Sequence, residues 1–177
     1  MYGVVVTIKC ISENRNISPG DISKRKEVKE RLNCKSFRWY LENIYPESVL
    51  NQVLHFGEIK SISQKKCVDS NGGKVGSAFQ LNTCHGQGGN QMYGYSKSQT
   101  IVTLLALCLS IDRKQSTVVS AQCDDNSEDQ WWRYDDEHKL LVHVSSGHCV
   151  QANDTGLIVA RCDLTDNHFF WDIKLSP

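Results

Sequence analysis

The chain has 177 residues, enough for one ordinary domain or a small domain with an appendage and too few for two full-sized enzyme domains. Lys and Arg number 20 and Asp and Glu number 20, so the net charge is zero and gives no indication of a nucleic-acid partner. No apolar run approaches the roughly 20 residues of a membrane helix, and the apolar run 3–8 is too short for the core of a secretory signal. The charge is uneven, because residues 1–46 hold nine Lys or Arg against five Asp or Glu and residues 47–177 hold eleven against fifteen.

The basic first part predicts two short helices. Asp21 or Ser23 is a suitable N-cap for a helix over residues 24–32. Ser36 is a suitable cap for a second helix, which ends by Pro46. This second helix carries an apolar face made of Phe37, Trp39, Tyr40 and Leu41.

The acidic second part, residues 54–177, contains a threefold repeat. One series of cysteines recurs every 41 residues, at Cys67, Cys108 and Cys149. A second series recurs every 39 residues, at Cys84, Cys123 and Cys162. Each cysteine of the second series is followed by a pair of residues, one seven and one nine positions later. The pairs are Gln91 and Tyr93, Gln130 and Trp132, and Phe169 and Trp171. Two ladders with one spacing establish three related units of about 40 residues.

The repeated unit is predicted to be all-β. Short alternating stretches at residues 57–62, 140–144 and 156–160 indicate strands, and Gly, Asn and Asp lie between them. Three units are fewer than the four to eight blades of a propeller. Three units can instead close around a pseudo-threefold axis, with one large aromatic residue from each unit at a shared centre. We therefore predict a β-trefoil with a short helical N-terminal appendage.

The six cysteines of the ladder are interpreted as disulfides within each unit. The predicted pairs are Cys67–Cys84, Cys108–Cys123 and Cys149–Cys162, with sequence spans of 17, 15 and 13 residues. A zinc site is the competing interpretation, but structural zinc sites favour Cys-x2–4-Cys pairs, which this sequence lacks. Disulfides require an oxidising compartment, so a secretory location is expected although no targeting signal can be identified.

The sequence contains two N-glycosylation sequons, which are compatible with a secretory location. One is Asn153-Asp154-Thr155. The other, at residues 16–18, is weakened by Pro19 directly after it.

The triple Cys…Cys…Gln-x-Trp ladder resembles the ricin-type lectin domain. Cys67-Val68-Asp69 with residues 84–91, Cys-His-Gly-Gln-Gly-Gly-Asn-Gln, is similar to the first lectin repeat of polypeptide N-acetylgalactosaminyltransferases. Residues 20–23 and 32–46 look like the end of that family's catalytic domain and the linker after it. The resemblance implies three regions: residues 1–13 match nothing in the family, residues 14–53 are a partly helical catalytic end and linker, and residues 54–177 are the lectin domain.

The resemblance implies a binding role and no catalysis by this chain. Family enzymes use manganese and UDP-N-acetylgalactosamine on a catalytic domain whose metal-binding motif is Asp-x-His, and no such domain is found in these residues. Two Asp-x-His strings occur, at 136–138 and 166–168, but they fall in turns of the repeats. We therefore expect no catalytic residue, no metal and no cofactor here, and interpret the chain as the lectin end of a longer Golgi enzyme, with an aberrant or alternative start.

In the first repeat the resemblance implies a sugar site. Asp69 is expected to accept hydrogen bonds from sugar hydroxyls, Asn90 to supply an amide, His85 to lie beside the ligand and Gln91 to support them. The ligand implied is N-acetylgalactosamine, or a glycopeptide that bears it. The family often has an aromatic residue two positions before the second cysteine, where this chain has Asn82, so the stacking platform is lost or is supplied by Phe79.

The other two repeats lack this combination of an acceptor and an amide. Ser110 and Asp129 occupy the corresponding places in the second repeat, and Gln151 and His168 occupy them in the third. Single-site binding is therefore predicted. A trefoil that has become a non-binding structural or protein-interaction remnant is the alternative.

Two cysteines lie outside the ladder. The family cysteine that corresponds to Cys34 closes a disulfide into the catalytic domain. A bond from Cys34 to Cys10 and a free thiol on each residue remain equal alternatives. Exposed side chains at Phe37, Trp39 or Tyr40 are expected unless they fold back on the trefoil.

Overall fold

The computed structural model describes residues 20–46 and 53–173. Contacts divide the chain into two units, Met1–Asn51 and Gln52–Pro177. The position of the predicted domain boundary stays a prediction. In the described residues no helix is long and apolar enough to cross a membrane.

The described residues of the first unit contain two short helices. The second begins at its predicted cap, Ser36, whereas the N-cap of the first is Ile22, between the predicted caps Asp21 and Ser23. Helix α1 spans Ser23–Arg31, and the Asp21 carboxylate accepts a 2.9 Å hydrogen bond from the Ser23 backbone. Helix α2 spans Phe37–Asn43, and the Ser36 hydroxyl accepts a 3.0 Å bond from the backbone of Trp39. Both bonds satisfy an N–H group at or next to a helix start that has no partner inside the helix.

The described side chains of this first unit are largely exposed. Helix α1 buries none of its residues, and Trp39 and Tyr40 are 39% and 45% exposed. Cys34 is an exposed free thiol, whereas Cys10 and the side chain of Phe37 lie outside the described part of the chain.

The second unit is all-β, as predicted. Its strands in the described residues are β1 Val53–Gly57, β2 Ile59–Ser61, β3 Cys67–Asp69, β4 Gln80–Asn82, β5 Tyr93–Ser96, β6 Ile101–Thr103, β7 Leu107–Asp112, β8 Thr117–Gln122, β9 Trp132–Asp135, β10 Leu140–His143, β11 Cys149–Asn153, β12 Gly156–Ala160 and β13 Trp171–Ile173. They form one sheet in the order β1-β5-β6-β7-β8-β12-β11-β10-β9 and a second in the order β13-β2-β3-β4. Strand β13 of the third repeat thus pairs with β2 of the first, at Trp171 and Ser61, and links the ends of the repeat series.

The centre of the trefoil is built from the second residue of each repeated pair, Tyr93, Trp132 and Trp171. Tyr93 is 1% exposed and Trp132 and Trp171 are 0% exposed. Each tryptophan keeps its indole N–H satisfied, because Trp132 donates to the Leu109 carbonyl at 3.0 Å and Trp171 to that of Val150 at 2.9 Å. Burial of one such side chain contributes about 4–6 kcal/mol as an upper estimate from area.

All three predicted disulfides are present, and they exclude the zinc interpretation for these cysteines. The pairs are Cys67–Cys84, Cys108–Cys123 and Cys149–Cys162, with Cα–Cα distances of 5.0, 5.0 and 4.9 Å. In each repeat the disulfide ties a core strand to the loop that leads into the Gln-x-aromatic segment, so it fixes the base of that loop.

Candidate functional site

Asp69 is the last residue of strand β3 and the centre of the candidate site. It is 7% exposed. Its Oδ1 accepts a 2.7 Å hydrogen bond from the Asn71 backbone, and its Oδ2 accepts a 3.0 Å bond from the side-chain amide of Gln91. The carboxylate is therefore held from two sides.

Gln91 joins the strand to the loop that follows Cys84. Its side chain is fully buried, and its amide nitrogen donates to the Thr83 carbonyl at 3.1 Å as well as to Asp69. Its carbonyl oxygen accepts a 3.1 Å bond from the His85 backbone. One side chain thus ties three predicted site residues, Asp69, His85 and Gln91 itself, into one network.

The loop between Cys84 and Asn90 turns at three glycines. Gly86, Gly88 and Gly89 have φ angles of 64°, 74° and 60°, in the left-handed region that side-chain-bearing residues rarely adopt. These turns bring Asn90 back to strand β3, where its backbone carbonyl accepts a 2.9 Å hydrogen bond from Ser70. The glycines therefore determine where Asn90 lies relative to Asp69.

His85 and Asn90 are exposed on this loop. The Nδ1 atom of His85 accepts a 3.1 Å hydrogen bond from the Gln87 backbone, so the neutral ring carries its proton on Nε2. His85 and Asn90 thus lie on the loop that Gln91 joins to Asp69, and their roles toward a ligand stay predictions.

Tyr93 is a further positioning residue that the sequence did not indicate. Its hydroxyl donates to the Asn90 carbonyl at 3.1 Å, whereas the tryptophans at the same place in the other repeats donate to a strand carbonyl. The sequence feature that could have identified this role is Tyr93 itself, because the other two repeats have a tryptophan at that position.

The pKa of Asp69 reflects these contacts. Burial of the carboxyl opposes ionisation, but hydrogen bonds from Gln91 and the Asn71 backbone outweigh it, so the pKa lies below its ordinary value. The Asn82 amide and the nearby His85 ring lower the pKa further. Asp69 is thus an ionised acceptor at neutral pH.

Phe79 does not supply the aromatic platform, so that alternative was wrong. It is 1% exposed and packs edge-on against Tyr93 with ring centroids 6.2 Å apart. Asn82 is exposed on strand β4, opposite Cys67 in the register and close enough to Asp69 to lower its pKa. The place of the usual aromatic residue is therefore occupied by a second amide.

The second repeat has a different arrangement at the corresponding positions. Ser110 is 7% exposed and replaces the strand carboxylate. Asp129 takes the place of Asn90, but its Oδ1 is 2.6 Å from Nε of Arg113, in an ion pair at the surface. Gln130 keeps the structural role of Gln91, because its amide oxygen accepts from the Asp124 backbone at 3.0 Å.

The third repeat also differs, because its strand supplies an amide that bonds to a carboxylate of the following loop. The strand supplies Gln151, whose amide donates to Oδ2 of Asp166 at 2.8 Å. Oδ1 of Asp166 accepts from the backbone and the Nδ1 of His168, at 3.0 and 2.7 Å. Phe169 fills the position of the buried glutamine and packs in a small apolar cluster.

The first Asp-x-His string, residues 136–138, lies in a turn, as predicted, whereas the second, residues 166–168, runs into the short 3-10 helix Asn167–Phe169. Asp136 follows the end of β9 and pairs with Lys139 at 2.6 Å, while His138 contacts Asp135 at 3.1 Å. In the part of the chain that the structure describes, no group of three or more His, Cys, Asp or Glu residues is arranged to hold a metal ion.

The fold and the sequence define a lectin. The chain belongs to the family of the ricin-type β-trefoil lectin domain, whose family profile matches residues 55–171. Its fold is also that of the Vibrio vulnificus haemolysin/cytolysin β-trefoil lectin, solved with N-acetyl-D-lactosamine bound, with a TM-score of 0.57 and 19% identity over 70% of this chain and 96% of that one.

Among full-length proteins, the chain is homologous to N-acetylgalactosaminyltransferases over most of its length. It is 33% identical to polypeptide N-acetylgalactosaminyltransferase 6 of Bos taurus over 89% of this chain and 26% of that protein. It is 39% identical to polypeptide N-acetylgalactosaminyltransferase 13 of Homo sapiens over 74% of this chain and 24% of that protein. The crystal structure of GalNAc-T7 with UDP, GalNAc and Mn2+ matches with a TM-score of 0.68 and 26% identity, over 90% of this chain and 30% of that chain. The chain therefore spans about a quarter of the curated relatives it matches and corresponds to their C-terminal lectin part.

Proposed function

We propose that this chain is the N-acetylgalactosamine-recognising lectin module of a Golgi enzyme of protein O-glycosylation, and that the sugar binds at the first repeat. The observation that carries the proposal is the Asp69 carboxylate, ionised, nearly buried and fixed by Gln91 and the Asn71 backbone. A carboxylate held in this way is ready to accept hydrogen bonds without losing side-chain entropy on binding.

The chemistry suits a pair of neighbouring sugar hydroxyls. A carboxylate oxygen accepts up to two hydrogen bonds, so Asp69 can accept a sugar hydroxyl beside Gln91 and Asn71, in competition with the Asn82 amide. The exposed amide of Asn90 can both donate and accept. The exposed His85 ring offers its Nε2 donor or its face to the apolar side of the sugar. Gln91 supports these groups from below and does not reach the surface.

We expect the affinity for the free monosaccharide to be weak. Phe79 is in the core and Asn82 is polar, so neither offers a large aromatic surface to a sugar ring. Weak binding is useful in a tethered module, because a linked catalytic domain then meets the glycopeptide at a high effective concentration.

The natural partner on this proposal is a peptide that already carries N-acetylgalactosamine. Sugar transfer, with manganese and UDP-N-acetylgalactosamine, is assigned to a catalytic domain of the kind named in the relatives, and this chain acts by binding alone. The three disulfides support a site of action in the Golgi lumen.

The second candidate is a trefoil that no longer binds sugar and serves as a structural or protein-interaction remnant. The observation in its favour is the Asn82 amide, which occupies the position of the usual aromatic residue and interacts with Asp69 itself. A glycopeptide array separates the two candidates. Binding to peptides with N-acetylgalactosamine that free N-acetylgalactosamine displaces supports the lectin, and no binding above the matched unglycosylated peptides supports the remnant.

A further inference from the structure

We propose that Asn153 carries an N-linked glycan. Asn153-Asp154-Thr155 is an acceptor sequon, and it forms the turn of the hairpin between strands β11 and β12. The proposal concerns a covalent modification of the lectin domain, and it is independent of whether the first repeat binds sugar.

The side-chain amide of Asn153 is oriented by the third residue of the sequon. Its Oδ1 accepts a 2.9 Å hydrogen bond from the Thr155 backbone and a 3.0 Å bond from the Thr155 hydroxyl. The backbone N–H can only donate, so the atom that faces it is the oxygen. Because Oδ1 and Nδ2 lie on opposite sides of a planar amide, Nδ2 points away from Thr155.

The outer side of this hairpin has room for a bulky group. Asp154 and Thr155 are exposed, and Asn153 is half-buried at the end of its strand. The inner side is closed at the next residue, since Gly156 has a φ of +136° and a side chain there would collide with the Phe79 carbonyl. The hairpin is therefore exposed at Asp154 and Thr155 and closed on its inner side at Gly156.

The compartment is also suitable. The three disulfides require an oxidising lumen, which is where polypeptides meet oligosaccharide donors. The other sequon, at residues 16–18, is followed by Pro19 and lies outside the described residues. Asn153 is thus the acceptor that both the sequence and the structure favour.

The co-reactant is an oligosaccharide linked to a polyprenyl lipid through a diphosphate, and the cell's own transferase catalyses the step. The Nδ2 atom of Asn153 attacks the anomeric carbon of the first sugar, and a C–N bond forms while the bond from that carbon to the diphosphate oxygen breaks. The lipid diphosphate leaves with the electron pair, and the amide gives up one proton to a base. No oxidation or reduction takes place.

The experiment is secretion of the full chain from eukaryotic cells behind an added signal peptide, followed by treatment with peptide N-glycosidase. Asn16→Gln is present in every version so that only Asn153 can react. Asn153→Asp is the matched variant, because its carboxylate keeps an acceptor for both Thr155 bonds but has no amide nitrogen. Thr155→Val removes the hydroxyl, whereas Thr155→Ser keeps it.

The expected result is one enzyme-sensitive downward gel shift in the parent and in Thr155→Ser, and none in Asn153→Asp or Thr155→Val. Mass spectrometry should show conversion of Asn153 to Asp only after the enzyme treatment. A secreted parent without an enzyme-sensitive shift would overturn the proposal, and so would a shift that persists in Asn153→Asp. Secretion of Asn153→Asp shows that loss of the shift is not loss of folding.

Discussion

The buried amide of Gln91 donates a 3.0 Å hydrogen bond to the Asp69 carboxylate, from 22 residues further along the chain. Gln130 has the corresponding place in the second repeat, where its amide donates to the Gln122 carbonyl at 2.8 Å. The same structural clamp therefore occurs twice, and in the first repeat alone it also holds a carboxylate.

This difference makes Gln91 and Gln130 a matched pair for mutation. Gln91→Met and Gln130→Met each leave buried polar groups without a partner, so each is expected to lower the free energy of unfolding by about 1–3 kcal/mol. Gln91→Met should in addition weaken N-acetylgalactosamine binding, because Asp69 loses its fixed position. Urea unfolding and a sugar titration of both folded variants measure the two effects. Equal weakening of sugar binding in both variants would contradict the proposed role of Gln91.

Removal of single disulfides also distinguishes effects on the free energy of unfolding from effects on sugar affinity. Replacing both cysteines of one pair by alanine is expected to cost about 3 kcal/mol for any of the three loops, whose sequence separations are 17, 15 and 13 residues. Loss of Cys67–Cys84 should also reduce sugar affinity, because that bond anchors the loop with His85 and Asn90. Loss of Cys149–Cys162 should leave affinity unchanged in the folded fraction. If the variant without Cys67–Cys84 is destabilised but binds sugar with normal affinity, the loop with His85 and Asn90 is not part of the sugar site.

The buried His143 predicts how stability depends on pH. It is 2% exposed, its ring packs edge-on against Trp132 at 5.2 Å, and its Nε2 is 2.8 Å from the Glu128 carbonyl. Burial lowers the pKa of His143 below its ordinary value of 6.5, although the Glu128 carbonyl opposes that shift. The unfolded chain therefore binds a proton at this histidine more readily than the folded chain does, and stability falls as the pH drops below about 6.5.

The corresponding residues of the other repeats are Ser61 and Thr103, and they suggest which residue to place at position 143 in a control variant. Both are buried hydroxyl residues whose side chains accept a backbone hydrogen bond, Ser61 from Gln64 and Thr103 from Leu107. His143→Ser should flatten the fall in unfolding free energy between about pH 6.5 and about pH 5, whatever its stability at neutral pH. Chemical denaturation at several pH values tests this, and parallel curves for parent and variant would show that His143 does not carry the dependence.

The spacing of the cysteines and of the buried aromatic residues that follow them was sufficient to predict the trefoil and its disulfides, because each element recurs three times at intervals of 41 or 39 residues. Ser36 was correctly predicted as a helix cap because capping is a local interaction. Phe79 was misjudged because its burial is not local: its backbone donates to Val118 of the second repeat at 3.4 Å, which places its ring in the core.

Two contacts at the candidate sites could not be predicted for a similar reason. The bond from Tyr93 to the Asn90 carbonyl depends on how the glycine loop folds back. The bond from Gln151 to Asp166 depends on the approach of a strand and a loop 15 residues apart. Position in a repeat predicts which residues occupy a site, whereas the pairing of their side chains is decided by packing.

The most direct measurement is a titration of the isotope-labelled chain with N-acetylgalactosamine, followed by NMR, for the parent, Asp69→Asn and Asp129→Asn. Asp129 is the control, because it is a loop carboxylate of the second repeat that pairs with Arg113. Asp69→Asn places an amide against the Gln91 donor, so dispersed spectra must first confirm that the variant is folded.

The account predicts shifts at His85, Asn90 and their neighbours in the parent, a loss of affinity of about tenfold or more in Asp69→Asn, and no loss in Asp129→Asn. Unchanged binding in folded Asp69→Asn, or shifts confined to the second or third repeat, would contradict it.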